Sequence, residues 1–222
     1  MKKRKNIITI AIDSPAAAGA GTQAKKIANE YNLLYLDTGK IYRYIGKLKL
    51  DNKEKFSNKL VKKKIDKIKI SDLNKKNLIS DRVATSASYI AKSKSIRRIV
   101  KNFQFNCAYN PPKKFSGSIL DGRDITSVIM KKATIKFYIT ANIKVRAKRR
   151  YLEFKKINKK ISYKEVLKSL KNRDYLDKNR KYSPLKKTKD SILINTSKLS
   201  KKACFYKIKA LIDKKLKLNG SI

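Results

Sequence analysis

The chain has 222 residues, enough for one hydrophobic core of useful size with small appended subdomains. It carries 59 Lys and Arg against 16 Asp and Glu, and it has no histidine, which excludes every catalytic scheme that needs an imidazole. It lacks a run of about 18 apolar residues, so we expect no membrane-spanning helix. Cys107 and Cys204 have no metal-ligand spacing, and we expect two buried thiols in a cytoplasmic protein.

The formal net charge of +43 has two interpretations. Such a balance is typical of proteins that bind nucleic acid or an anionic surface, so non-specific binding of RNA is one of them. The other is compositional drift, because the cations are spread from Lys2 to Lys217 and the chain is rich in residues that AT-rich codons encode. The even spread favours drift. It also makes the acids and glycines informative, since they gather in a few short segments.

The first elements along the chain predict a strand, a loop and a helix in the order that binds phosphates. Residues 6–12 are a β-branched apolar run, typical of a strand buried on both faces. A loop of small residues follows at 13–21, and 23–32 has helical spacing. Small residues let the backbone approach an anion, and the helix N-terminus adds positive potential. A short strand at 33–36 and a helix at 40–50 come next.

The rest of the chain continues the alternation of strands and helices. Residues 51–80 are lysine-rich and predict a small, poorly defined subdomain, and residues 81–107 predict a helical segment broken near 92–95. The later elements are predicted strands at 117–121, 135–141 and 191–195, and predicted helices at 143–154, 163–177 and 200–216. Strands that alternate with helices indicate an α/β fold with a parallel sheet.

The small-residue loop resembles the phosphate-binding loop of nucleotide kinases, whose pattern is Gly-x-x-x-x-Gly-Lys-Gly-Thr. The two later glycines match, and Thr22 is in the position that binds Mg²⁺. Ala20 stands where the pattern has the lysine that lies along the β- and γ-phosphates of the donor. Lys25 and Lys26, further into the helix, are expected to point away and to replace it poorly. The nine loop positions, which the resemblance assigns to ATP, are Ser14, Pro15, Ala16, Ala17, Ala18, Gly19, Ala20, Gly21 and Thr22.

Five further segments resemble, in the same order, motifs of the bacterial cytidylate kinases (CMP/dCMP kinases), which are nucleoside-monophosphate kinases of the P-loop class. The resemblance covers nearly the whole chain and places the motifs at the expected strand ends. The segments are 36–43 (LDTGKIYR), 88–91 (SYIA) with Arg97, 121–124 (DGRD), 145–150 (VRAKRR), and 173–180 (RDYLDKNR) followed by Pro184 and Leu185.

The resemblance implies how a nucleoside monophosphate would be bound. Guanidinium groups suit a phosphate dianion, and Arg43, Arg123 and Arg180 are the arginines it assigns there. Cytosine presents an amino donor beside two acceptors, so its reader needs a carboxylate next to donors. The residues assigned to cytosine are Asp124, Ser88 and Arg97, those assigned to the sugar are Arg173 and Asp177, and Thr38 and Tyr42 complete the substrate-binding set.

The resemblance also implies a catalytic set and a lid. Arg146, Arg149 and Arg150 would fold over the transferring phosphoryl group, where cations stabilise spread charge and water is excluded. The residues that it assigns to catalysis are Arg123, Asp124, Arg149 and Arg180.

Simpler explanations exist for single residues of this set. A lone arginine in a chain this basic is usually a solvated charge. Asp174 and Asp177 could pair with nearby lysines at helical spacing. Thr38 could be a helix N-cap.

The residues and the resemblance together predict one nucleoside-monophosphate kinase domain over 1–222. We expect a P-loop kinase-like parallel sheet flanked by helices, with a core of 1–43, 99–145 and 184–222, a monophosphate-binding insert at 44–98 and a helical lid at 146–183. The expected activity is phosphorylation of CMP and dCMP by ATP with Mg²⁺, in a cytoplasmic monomer. One alternative is a weak or inactive relative that binds nucleotides or RNA. Another is a different monophosphate kinase, because 21–24 (GTQA) resembles adenylate kinases.

Overall fold

A five-stranded parallel sheet forms the centre of the protein. Its strands are β1 (Ile8–Asp13), β2 (Leu33–Asp37), β3 (Gly117–Gly122), β4 (Ile135–Thr140) and β5 (Ile192–Asn195), in the order β2-β3-β1-β4-β5. The computed structural model describes residues 7–78, 80–156 and 160–218. Because all neighbouring strands are parallel, their carboxyl ends meet at one edge of the sheet. The predicted α/β fold is confirmed, and each predicted strand is present within two residues of its expected bounds.

Helices cover both faces of this sheet, and every predicted helix has a counterpart. In the described ranges the α-helices are α1 (Ala20–Glu30), α2 (Thr38–Asp51), α3 (Asn58–Ile65), α4 (Asp81–Ile90), α5 (Lys94–Tyr109), α6 (Ile143–Lys156), α7 (Tyr163–Asn179) and α8 (Lys201–Leu218). Short 3₁₀ turns lie at Ile70–Asn74 and Lys76–Leu78, and a π-helical turn lies at Ile125–Ile129. The predicted break near 92–95 falls between α4 and α5, where Ser93 caps α5 by accepting a hydrogen bond from the Ile96 amide.

Two apolar clusters fill the spaces between the sheet and its helices. On one face, α2, α4 and α5 pack against strand residues that include Ala11 and Leu120. On the other face, α1 and α8 pack against Ile10, Ile12 and Phe137. Adjacent residues of β1 thus enter opposite clusters, which is why the strand reads as a continuous apolar run. Each large side chain buried in this way contributes about 1.5–3 kcal/mol.

The lysine-rich segment 51–80 has more regular structure than its composition predicts. The helix α3 begins after Ser57, whose hydroxyl accepts a hydrogen bond of 3.2 Å from the amide of Leu60. Val61 and Ile65 are buried one turn apart, while the lysines of the helix are exposed. The expectation of a poorly defined subdomain was wrong, because two apolar residues at helical spacing suffice to dock a short helix.

Gly46 sets the distance between α2 and α4. A Cβ at this position would lie 2.8 Å from the backbone nitrogen of Ala87 and 3.1 Å from the carbonyl oxygen of Val83. We expect Gly46→Ala to lower the free energy of unfolding by about 1–3 kcal/mol, because the methyl group forces the helices apart. Urea unfolding followed by circular dichroism measures this. Gly39→Ala is the control, since a Cβ there would meet the end of the Asp37 side chain at 3.1 Å, and equal losses in the two variants would contradict the prediction.

Two further expectations concern the cysteines and the membrane. Cys107 and Cys204 are free and buried, as predicted, and burial raises the pKa of the Cys107 thiol to about 11. Within the described ranges, no helix is long and apolar enough to cross a membrane. The cytoplasmic location stays a prediction.

Candidate active site

A cavity of about 980 Å³ lies at the carboxyl ends of β1, β2 and β3. This volume is at the upper end of the roughly 300–1,000 Å³ that ligand pockets occupy. Its wall is formed by the loop before α1, the first turn of α2, parts of α4 and α5, the residues after β3, and the facing sides of α6 and α7. Apart from the lid residue Arg146, every residue that the sequence assigned to the site lines this cavity, from Ser14–Thr22 in the loop to Arg180 at the end of α7. Their individual roles stay predictions.

The loop between β1 and α1 has the backbone shape that anion binding requires. Ala17 and Gly19 have positive φ angles of 60° and 91°, and α1 begins directly after Gly19. No side chain caps α1, so the amides of its first turn have no side-chain acceptor. The side chain of Thr22 is exposed at the cavity wall. These amides and the helix N-terminus can therefore receive phosphate oxygens.

Two side chains hold this loop from behind. Arg146 Nη1 donates a hydrogen bond of 3.0 Å to the carbonyl oxygen of Ala16. Thr196 Oγ1 donates one of 3.0 Å to the carbonyl oxygen of Ala18. Because the carbonyl oxygens of Ala16 and Ala18 accept these bonds, the loop conformation is fixed before a ligand binds. Less conformational entropy is then lost when a ligand binds.

The loop position that lacks its lysine is closed by apolar packing. Ala20 is 4% exposed and belongs to the cluster between α1 and the sheet. Lys25 lines the cavity, so the expectation that it points away was wrong. It lies one turn after Gly21 on the same side of α1, and helical side chains lean toward the helix N-terminus. Lys26 does point away, with its ammonium 5.8 Å from the centre of the Phe205 ring.

Asp124 lies in a buried polar network at one end of the cavity. Its side chain is within ion-pair distance of Arg97 Nη2, at 3.1 Å, and of Arg180 Nη2, at 3.9 Å. Arg97 Nη1 donates to the Tyr42 hydroxyl at 3.0 Å. The Nε atom of Arg97 and Nη2 of Arg180 are buried without a hydrogen-bond partner. Ser88 lines the same end of the cavity, so a carboxylate stands beside donors, as a cytosine reader requires.

Asp177 connects α7 to the end of β3. Arg123 Nε donates to Asp177 Oδ2 at 2.8 Å, and Arg180 Nη1 lies 3.6 Å from Asp177 Oδ1. Burial opposes ionisation here, yet the neighbouring guanidinium groups hold the pKa of Asp177 below its usual value. Asp174 forms an ion pair of 2.6 Å with Arg146 Nη2. The alternative that these two acids merely pair with lysines is wrong.

A cluster of arginines occupies the neighbouring part of the cavity. Burial, followed by the charges of Arg123, Arg43 and Arg150, lowers the pKa of Arg173 to about 10. The Nε atom of Arg173 is buried and has no hydrogen-bond partner. The resemblance assigned Arg173 to the sugar, whereas the structure places it among the arginines assigned to phosphate. Four cations in one place repel one another, so this part of the cavity favours a bound anion.

The three lid arginines differ in what they contact. Arg146 does not line the cavity; it is buried against Asp174, so the expectation that it folds over the phosphoryl group was wrong. Arg149 donates from Nη1 and Nη2 to the hydroxyl and carbonyl oxygens of Thr196, at 2.9 and 2.7 Å. Arg150 lines the cavity and is the lid arginine whose charge acts on Arg173. Arg149 remains a predicted catalytic residue.

Two acids lie side by side where β2 and β3 end. Asp37 and Asp121 are in register, and burial, followed by the charge of Asp37, raises the pKa of Asp121 well above its usual value. A Cβ on Gly21 would lie 3.5 Å from Asp121 Oδ2, so this carboxyl group faces the phosphate loop. The Thr38 hydroxyl donates to the backbone oxygen of Asp121 at 2.8 Å and does not cap α2. No cluster of three or more acids, Cys or His in the described ranges could hold a metal ion by itself.

Asp13 is a residue to which the sequence analysis gave no role. Its carboxyl oxygens accept hydrogen bonds from the amides of Ile125 and Thr126, at 2.8 and 2.9 Å, and from the Thr126 hydroxyl at 2.5 Å. These bonds fix the π-helical turn that follows Asp124. Burial raises the pKa of Asp13 to about 6. Its place at the end of the first strand, in a chain with few acids, was the signal that pointed to it.

Comparison with known proteins gives consistent results. The family model described as cytidylate kinase matches residues 10–214. A cytidylate kinase of Bartonella henselae is 43% identical over 210 residues, covering 92% of this chain and 94% of that protein. One from Clostridium botulinum is 39% identical over 218 residues, covering 93% and 98%.

A solved structure shares the fold at low sequence identity. The crystal structure of an uncharacterized protein from Eubacterium ventriosum superposes with a TM-score of 0.56 and 18% identity, covering 93% of this chain and 98% of that one. This likeness concerns the fold alone. The family match and the sequence relatives, which span almost the whole chain, carry the assignment: the chain belongs to the cytidylate kinase family.

Proposed function

We propose that this protein transfers the γ-phosphoryl group of ATP to CMP and dCMP. The observation that carries the proposal is the acceptor end of the cavity, where the carboxylate of Asp124 stands beside unpartnered arginine donors and the arginine cluster lies next to it. Cytosine would pair its amino group with Asp124, and the monophosphate would enter the cluster formed by Arg43, Arg123 and Arg173. Family membership supports the same substrate class.

The transfer requires positioning and charge neutralisation. An oxygen of the acceptor phosphate attacks the γ-phosphorus and forms a new P–O bond, while the bond from that phosphorus to the β–γ bridging oxygen breaks and its electron pair leaves with ADP. With ionised phosphates on both sides, no proton is gained or lost. The charge spreads over the transferred group, so Arg123, Arg150 and Arg173 would act by holding and neutralising it.

The loop and its neighbours fit a nucleoside triphosphate and a divalent cation. The amides at the start of α1 would receive the donor phosphates, and Arg149 would act from the lid. Thr22, exposed at the cavity wall, and Asp121, which faces Gly21, would hold Mg²⁺ together with phosphate oxygens, as this cation usually prefers. The cation, when bound, neutralises charge on the phosphate oxygens.

Several expectations remain proposals. We propose the bounds that the sequence predicted, a monophosphate-binding insert at 44–98 and a lid at 146–183. Both segments contribute to the wall of the cavity and carry arginines that face it. A monomeric state and non-specific binding of RNA rest on the sequence alone.

A coupled assay with ATP and Mg²⁺ tests the proposed activity on CMP, dCMP, UMP and AMP. We expect turnover of CMP and dCMP, with kcat/KM at least about 100-fold lower for UMP, because a site built around a carboxylate rejects a base that lacks the amino donor. AMP, which keeps an amino donor on a larger base, is the purine comparison. Heat-inactivated protein is the control. Absence of CMP turnover above that control, or equal use of UMP, would contradict the proposal.

A further inference from the structure

The phosphate loop has no cation of its own, and two of the three lid arginines already have partners in the protein. The third, Arg150, lies with the arginine cluster around Arg173. Arg146 is buried against Asp174 and the loop carbonyl of Ala16. Arg149 is bonded twice to Thr196. A phosphoryl donor would therefore leave negative charge at Ala20 that the loop cannot offset, although the acceptor end of the same cavity is complete. A compensating cation should come from another element at this edge of the sheet.

Lys40 lies on α2, the helix that follows β2, whereas the loop follows β1. It is in the first turn of α2, two residues after Thr38, whose hydroxyl bond to the backbone oxygen of Asp121 anchors that turn to the end of β3. The side chain of Asp121 faces Gly21, the residue after Ala20. The first turn of α2, which contains Lys40, and the loop therefore meet at Asp121 from two sides.

The position of Lys40 is unfavourable for helix stability, and its present contact is exposed to solvent. The first turn of a helix carries positive potential, and α2 has no acid in that turn to offset a lysine. The ammonium donates to the side-chain oxygen of Asn74 at 2.6 Å, in an exposed hydrogen bond with a neutral partner. Its four-carbon stem is flexible, so leaving Asn74 costs little.

The neighbours of Lys40 on α2 show that this side of the helix belongs to the site. Gly39 precedes it and Arg43 follows it by one turn on the same side, and both line the cavity. Gly39 has no side chain, which leaves room at the start of α2. A Cβ there would have the end of the Asp37 side chain as its near neighbour, at 3.1 Å. Lys40 itself does not line the cavity while its ammonium is bonded to Asn74, so its stem has to turn toward the loop when that bond breaks.

We propose that Lys40 supplies the donor phosphates with the positive charge that Ala20 cannot supply. Its ammonium leaves Asn74 when ATP binds and pairs with β- and γ-phosphate oxygens, so that charge developing on the β–γ bridging oxygen is offset from α2 and not from the loop. This inference rests on the proposed function, because it assumes a phosphoryl donor in the loop. It explains how an intact acceptor site persists beside a loop without lysine.

A four-protein cycle tests the proposal: wild type, Lys40→Met, Ala20→Lys and the double variant, each assayed for kcat and for the KM of ATP and CMP. We expect Lys40→Met to lower kcat about 100-fold, the usual effect of losing one charge that stabilises the transition state, with the KM of CMP unchanged. In the Ala20→Lys background the same change should lower kcat by less than about 3-fold, because the loop then has its own lysine. Equal losses in the two backgrounds would overturn the proposal.

Lys26→Met is the matched control, since Lys26 lies on the same helix after the loop but points away from the cavity, with its ammonium 5.8 Å from the centre of the Phe205 ring. It should lower kcat by less than about 3-fold; a loss as large as that of Lys40→Met would overturn the proposal. Asn74→Ala removes only the resting partner and should leave kcat equal or higher, and a 100-fold loss there would assign Lys40 a structural role and overturn it too.

Calorimetric titration separates this inference from the proposed function. If Lys40 contacts the terminal phosphate, Lys40→Met weakens the binding of ATP with Mg²⁺ about 10-fold or more and that of AMP by less than about 2-fold. The proposed function fails if wild type and Ala20→Lys both leave CMP unphosphorylated, whereas a selective loss of ATP affinity would still support Lys40. Equal affinity of wild type and Lys40→Met for ATP would overturn the inference even in an active enzyme.

Discussion

Arg173→Met is expected to lower kcat/KM for CMP about 100-fold or more without lowering the free energy of unfolding. Burial and the charges of Arg123, Arg43 and Arg150 already lower the pKa of this guanidinium, and its Nε has no partner in the protein. Methionine keeps the apolar stem and removes the repelled charge. The loss should therefore fall on the bound anion and not on the fold.

Arg146→Met provides the matched control on the neighbouring lid helix. Arg146 is buried and fully bonded, to Asp174 at 2.6 Å and to the carbonyl oxygens of Ala16 and Ala141 at 3.0 and 2.9 Å. Removing one partner of a buried ion pair costs about 3–5 kcal/mol, so this variant should lose stability first. Urea unfolding and steady-state kinetics on both variants measure the contrast. A destabilised Arg173→Met that keeps its activity would contradict the assignment.

The choice of acceptor separates two roles for Arg173. Because its neighbours are arginines, we expect its charge to act at the transferred phosphoryl group, so CMP and dCMP should lose kcat/KM equally. The resemblance assigned it to the sugar. A loss confined to CMP would place Arg173 at the ribose 2′-hydroxyl, which dCMP lacks.

The sequence predicted the sheet, and it predicted that the assigned residues would lie together, for an identifiable physical reason. Residues 6–12 read as a doubly buried strand because adjacent side chains of β1 enter opposite apolar clusters. In a parallel sheet the carboxyl ends of strands meet at one edge, so acids and small residues after each strand had to converge. That is why Asp37, Asp121 and the loop 14–22 line one cavity.

What the sequence did not predict depends on long-range contacts. Arg146, Arg149 and Arg150 are near neighbours in a basic run, yet Arg146 is buried against α7 and Arg149 is bonded to Thr196 after β5. Spacing along one helix cannot show which partner lies across from each side chain. The same holds for Asp13, whose three hydrogen bonds reach a π-helical turn more than a hundred residues later in the chain.

Asp124→Asn is expected to remove most of the preference for cytosine. The side chain of Asp124 is 8% exposed and pairs with Arg97 at 3.1 Å and with Arg180 at 3.9 Å. An amide of the same shape can turn either its oxygen or its nitrogen toward the base, and it no longer offsets two guanidinium charges. The amino group of cytosine then loses its ionised acceptor, whereas the O4 acceptor of uracil gains a donor.

We expect kcat/KM for CMP to fall by about three to four orders of magnitude in Asp124→Asn, because a buried site built for one hydrogen bond discriminates strongly against its loss. The value for UMP should fall far less, so the CMP to UMP ratio should approach or cross one. Loss of the buried ion pair also costs about 3–5 kcal/mol, so folding must be checked by circular dichroism at the assay temperature. Asp190→Asn is the control, because it makes the same change in a carboxylate outside the cavity, where Asp190 pairs with Lys136, and it should leave the CMP to UMP ratio unchanged. If folded Asp124→Asn keeps the wild-type CMP to UMP ratio, another residue reads the base.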